Sequence, residues 1–150
     1  MSAMRRIRWR WVIAAAFLAE AAILAVFFLL LFAAMLAGVP EIAAPMSTLD
    51  NIDALVSSFV MFFLMTRWAA KRIESDLVLH GALIGLTGAV LFTVLWISTT
   101  DGLAQPLPYI AAHFLKVAGG IAGGLVTRKQ RLTSHDSSIA PISKRDPSAH

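Results

Sequence analysis

Leu107–Arg128, LPYIAAHFLKVAGGIAGGLVTR, decides how this chain is read, because it sets a histidine, a lysine and four glycines inside one apolar run. A run of this length crosses a bilayer as a helix, yet Lys116 puts an ammonium near its middle, where a lone charge costs roughly 2.5 to 3.5 kcal/mol on insertion scales. Another group at that depth must compensate it. Gly119, Gly120, Gly123 and Gly124 follow Lys116 by three, four, seven and eight residues, so most of them lie on or beside its face of the helix. Small residues at that spacing let a neighbouring helix approach closely. The stretch predicts a transmembrane helix that packs tightly around a sheltered charge.

Composition extends that reading to the whole chain. Of its 150 residues 58% are hydrophobic and 15% charged, and the mean hydropathy is +0.73. These values belong to an integral membrane protein, with the lipid bilayer as its solvent. The net charge of +4 is not a nucleic-acid footprint, since the basic residues cluster beside apolar runs and form no stripe with interleaved aromatics. No nucleic-acid partner is expected. The chain has no cysteine, which excludes disulfides, thiolate metal sites, iron–sulfur clusters and thiol catalysis.

Upstream of that helix, hydropathy predicts three more spans. Arg5, Arg6, Arg8 and Arg10 precede an apolar run from Val12 to Pro40 broken only by Glu20. That run is about twice the usual apolar region of a secretory signal, so a retained first helix is expected, with Trp9 and Trp11 at headgroup level. Gly38, Pro40 and Pro45 end it. The second apolar run, Ala54 to Thr66, has only 13 residues, or about 20 Å of helix, against a hydrocarbon core of roughly 30 Å. A cap at Ser47 or Thr48 and a snorkelling Arg67 lengthen it to Ala70, and a re-entrant or interfacial helix is the alternative. The third, Leu77 to Ser98, is interrupted only by His80 and carries Gly81, Gly85 and Gly88 on one face. The predicted spans are 11–37, 50–70, 77–98 and 107–128, after a basic N-terminus at 1–10 and before a polar, proline-containing tail at 129–150 that is expected to be disordered.

The charges fix an expected orientation independently of hydropathy. Four arginines stand before the first helix, three Lys or Arg residues between the second and third, and three closely after the fourth, with none in the two alternate connections. Under the positive-inside rule this is an all-α bundle of four transmembrane helices with both termini cytoplasmic, a multi-pass protein of the cell's inner membrane.

Chemistry must come from the few polar residues at membrane depth. Glu20 lies about 15 Å along the helix from Arg10, and Lys116 roughly 18 Å from Arg128. The two depths match, so a contact between the first and fourth helices, or protonation of Glu20, resolves both charges. A structural ion pair and a proton- or cation-coupled transport site are both open readings. His113 lies one turn from Lys116 and is expected to bond to it or to a neighbouring helix. His80 sits at the basic edge and is expected to bond to headgroups or loop backbone. At about 6 Å from Asp76 and 22 Å from Arg128 respectively, the two histidines cannot share one haem. No cofactor or metal is expected. GGIAGG lacks the lysine-serine or lysine-threonine ending and the preceding strand of a phosphate loop, and reads as helix packing.

Two functions follow as expectations. One is a non-enzymatic structural or accessory protein that assembles with itself or with a partner membrane protein through its glycine faces. The other is a small transporter or channel using Glu20. The segment AFLAEAAI around Glu20 resembles the first-helix glutamate motif of the small multidrug resistance family, four-helix proton-coupled exporters with an essential glutamate there. That resemblance covers about eight residues and carries over Glu20 alone. The loop charge bias, Lys116 and the tail depart from the family's pattern. Enzyme activity is not expected, because no loop gathers an acid, a base and a nucleophile.

Overall fold

The computed structural model describes residues 7–38, 48–100 and 105–138. They form four helices: α1 Trp9–Leu36, α2 Thr48–Ala70, α3 Leu77–Thr99 and α4 Leu107–Ser138. Each contains a stretch long and apolar enough to cross a membrane. The second segment reaches that length because Thr48 to Asp53 join the helix ahead of the short apolar run. Helix α4 continues through Lys129–Ser138, where a disordered tail was expected. Arg, Lys, Gln and Leu are good helix formers, and no glycine or proline interrupts them before Pro141. Residues 139–150 lie outside the described residues.

Around the bundle the helices run in the order α1, α2, α4, α3, so that α1 and α4 both pack on α2 and α3 and face each other across the middle. The glycine doublets explain the position of α4. Successive residues on a helix point about 100° apart, so two adjacent glycines repeated four residues later make two small faces instead of one. Gly119 and Gly123 lie against the Phe59 and Phe63 carbonyls of α2, while Gly120 and Gly124 lie against the Gly81 and Leu77 carbonyls of α3. A Cβ at any of the four would strike backbone. The α3 glycines also divide: Gly81 and Gly85 meet the α4 backbone, whereas Gly88 faces the Phe62 ring of α2 and the Glu20 carboxylate of α1.

The core lies toward the end where the basic residues gather. Val12, Ala15, Ala16 and Ala19 of α1 pack with Phe62, Ala69 and Ala70 of α2, Ile73 of the connection, and Leu77 and Ile84 of α3. Beyond Ala19, only Ala34 of α1 is buried, and the α1 side chains Phe28, Leu29 and Phe32 are all exposed by 60% or more. Helix α1 is therefore closely packed along its first half and leaves the bundle looser along its second.

Polar clamps tie the packed end together. Arg131 on the α4 extension donates to the carbonyls of Ala70, Ile73 and Glu74 at the end of α2 and in the following turn, where the Ala70 carbonyl also accepts the Ile73 N–H. Arg8 donates to the Arg72 carbonyl at 2.9 Å and pairs with the Glu74 carboxylate at 3.2 Å. His80 is fully buried, not exposed to headgroups. Its Nδ1 lies 3.0 Å from the Asp76 carbonyl and its Nε2 accepts the Arg8 backbone N–H at 3.2 Å. A carbonyl only accepts and an N–H only donates, so these partners require the neutral Nδ1–H tautomer. Asp76 itself takes a left-handed conformation, φ 52°, to turn the chain into α3.

Candidate functional site: an ion pair at the floor of a cavity

The Lys116 ammonium donates to Glu20 Oε1 at 2.5 Å, joining α4 to α1 across the middle of the bundle. Only 3% of the lysine side chain and 14% of the glutamate side chain are exposed. Local sequence brings them together. Gly119 and Gly120, one turn beyond Lys116, let α4 close on both neighbours and draw the lysine stem inward. On α3, Gly88 leaves the slot that Glu20 and Phe62 occupy, since a Cβ there would stand 3.1 Å from Glu20 Oε1 and overlap the ring.

Two aromatic faces complete the lysine's surroundings. Its nitrogen lies 4.4 Å from the centre of the Phe92 ring and 5.7 Å from that of Phe62. A carboxylate with two ring faces forms a cage for an ammonium, and a ring quadrupole attracts a desolvated cation by roughly 0.5 to 2 kcal/mol. Phe62 and Phe92 carry no sequence signal for this, because isolated phenylalanines in apolar helices read only as lipid-facing or core residues.

The pair is not sealed on all sides. It forms the floor of a cavity of about 220 Å³ in the loose half of the bundle. Ile23 and Phe27 of α1, Asp53 and Ser58 of α2, and Phe92 and Trp96 of α3 line it, together with Tyr109 and His113 of α4. The cavity has room for several waters and offers them polar partners. Asp53, whose carboxylate accepts the Ser57 hydroxyl at 2.6 Å, stands near its mouth. On the other side of the pair stands the closed core of Ala15, Ala16, Ala19, Phe62 and Ile84.

His113 lines the cavity without bonding to Lys116 or to another helix. Its Nε2 lies 2.8 Å from Gln105 Oε1, just ahead of α4, and its ring meets Phe92 edge-on at 5.5 Å. Its polar partner is thus Gln105, and its contact with a neighbouring helix is the Phe92 ring. His113 Nδ1 has no partner among the described residues. Of the sequence-derived candidates, then, Glu20 and Lys116 meet, His113 stands in the wall above them, and Gly88 touches the pair directly. The remaining glycines of α3 and α4 hold α4, which carries Lys116, against α2 and α3. Among the described residues, no three His, Asp or Glu side chains gather in a way that would hold a metal ion.

Compared with known protein families, with curated proteins and with solved structures, the chain matches none.

Proposed function

We propose that the chain is a small, non-enzymatic multi-pass protein of the inner membrane, with both termini in the cytoplasm, that carries protons or small cations by way of Glu20. The observation supporting this reading is the cavity that reaches the Glu20–Lys116 pair from one side, while the other side is close-packed. Access from one side at a time is what a carrier requires and a continuous pore lacks. The cavity gives the Glu20 carboxylate a path for protons or small cations from that side. The orientation is supported by the gathering of Arg8, Arg72 and Arg131 at the closed end, which the positive-inside rule assigns to the cytoplasm.

The test is flux in liposomes. The full chain should dissipate an imposed pH gradient, read with an internal dye. The double variant Glu20→Gln/Lys116→Met removes both charges together and so retains the fold, and it should carry no flux. Absence of flux from the wild-type chain leaves the structural or accessory role, in which the bundle assembles with itself or with a partner membrane protein. The glycine faces would not supply that contact, since Gly81, Gly85, Gly119, Gly120, Gly123 and Gly124 all pack within the chain.

A further inference from the structure

The closed end carries a second recess, a groove of about 690 Å³ along the first turns of α1, lined by Ile7, Arg8, Trp9, Arg10, Trp11 and Ala14. The groove itself is lined by α1, and α2 backs it at Trp11. Trp11 meets Trp68 of α2 edge-on at 5.6 Å, and the Arg72 guanidinium lies over the Trp11 ring, also at 5.6 Å.

The cations here divide into two groups. Arg8 is occupied by Glu74 and the Arg72 carbonyl, and at the far side of the end Arg67 donates to Gln130 while Arg131 clamps the α2–α3 turn. Arg10, Lys71 and Arg72 are exposed, and none has a carboxylate partner among the described residues. Arg10 lines the groove with Trp9, Arg72 lies on Trp11, and Lys71 precedes Arg72 in the chain, while Trp9 and Trp68 are 45% and 40% exposed. Orientation by charge needs no such geometry, because it works through any loose lysine or arginine near a span. Here one guanidinium is stacked on an indole that a second indole holds, which limits the rotamer freedom lost when an anion binds.

We propose that this face binds the phosphate-ester headgroup of an anionic phospholipid, with Arg10, Lys71 and Arg72 around the phosphate and Trp9 and Trp68 against the glycerol and upper acyl region. Tryptophan side chains settle at that depth because the ring is apolar and the N–H is polar. Anionic lipid also supplies the negative surface that juxtamembrane cations attract.

The experiment uses the full chain in neutral detergent and reads both the melting temperature and lipid retained in native mass spectrometry. Phosphatidylglycerol is expected to raise the melting temperature and remain bound, whereas phosphatidylcholine and inorganic phosphate at equal concentration do neither. Arg10→Gln and Lys71→Gln alter exposed side chains with no partner to lose, so both should fold. Each should weaken the phosphatidylglycerol response about fivefold, and the two together roughly 25-fold. Arg128→Gln/Lys129→Gln makes the same change in net charge away from the groove and should leave the response intact. Equal losses from the two double variants would overturn the proposal in favour of diffuse attraction. An equal response to phosphatidylcholine would remove the selectivity for an anion, and an equal response to inorganic phosphate would make the face a free-phosphate site and not a lipid site.

Discussion

Lys116 reaches Glu20 across 96 positions of sequence, and its ammonium nitrogen stands 2.5 Å from one carboxylate oxygen. Neither charge is stable alone at that depth, and the helices carrying them scarcely touch each other otherwise, since α1 and α4 occupy opposite corners of the bundle. The pair therefore acts as a strut across the interior.

Breaking the strut from either end should destabilise the bundle. Glu20→Gln leaves an unpaired ammonium and should cost up to about 3 kcal/mol, reduced by what the two phenylalanine rings return. Lys116→Met leaves the carboxylate. The double change should recover much of the loss, which a double-mutant cycle on melting temperatures in detergent measures directly. Additive losses would show the two residues to be energetically independent.

The cage should also accept a cation that is not tethered. Lys116→Ala removes the equivalent of propylammonium from between Glu20, Phe92 and Phe62. Added propylammonium is expected to raise the melting temperature of that variant in a saturable way and to leave the wild-type chain unchanged, because a ligand that binds only the folded state stabilises it by mass action. A rise of equal size in both proteins would point to a general solvent effect.

The glycine contacts predict an order of sensitivity. At Gly81 and Gly120 even alanine places its Cβ on the partner's backbone, so each substitution should cost about 1 to 3 kcal/mol or more. Gly85 opposes the Val117 Cα at 2.5 Å and should follow closely. Gly38 has nothing within 4 Å of its Cβ position and a φ of +69°, so alanine there should cost only the left-handed backbone penalty of about 1 kcal/mol. Melting temperatures of the four alanine variants in detergent test the ranking.

Arg131 should matter more than its neighbours on the same charged extension. Arg131→Gln removes the side-chain donor from the carbonyls of Ile73 and Glu74 and leaves that of Ala70 with the Ile73 N–H alone, a loss of roughly 1.5 to 3 kcal/mol for hydrogen bonds from a charged group. Arg128→Gln alters an exposed side chain and should stay within about 0.5 kcal/mol. Equal effects on melting temperature would mean that the clamp contributes only charge.

Orientation is open to direct measurement. Reporter fusions after Pro45 and Gly102 should be active only outside, and fusions after Glu74 and Ser134 only inside. An inside report at Pro45 with the other three unchanged would reduce α2 to a helix that does not cross.

Helix number and type, the start of α4 and the depth of the two charges were legible in the sequence, because hydropathy and the 1.5 Å rise per residue act locally and along one axis. The glycine spacing likewise marked close packing, since a missing Cβ permits approach by whatever lies opposite. Which element lies opposite is not a local property. That Gly119 and Gly123 face α2 while Gly120 and Gly124 face α3, and that Gly88 makes room for Glu20, depends on the rotation of each helix about its axis. Hydropathy reads that rotation poorly here, because these helices are apolar on nearly every side. The same limit hid Phe62 and Phe92 as walls of the ammonium cage, His113 as a partner of Gln105, and Arg131 as the donor that clamps the turn between α2 and α3. Sequence determined what must be compensated at each depth, whereas the packing of four helices against one another decided which residue supplies the compensation.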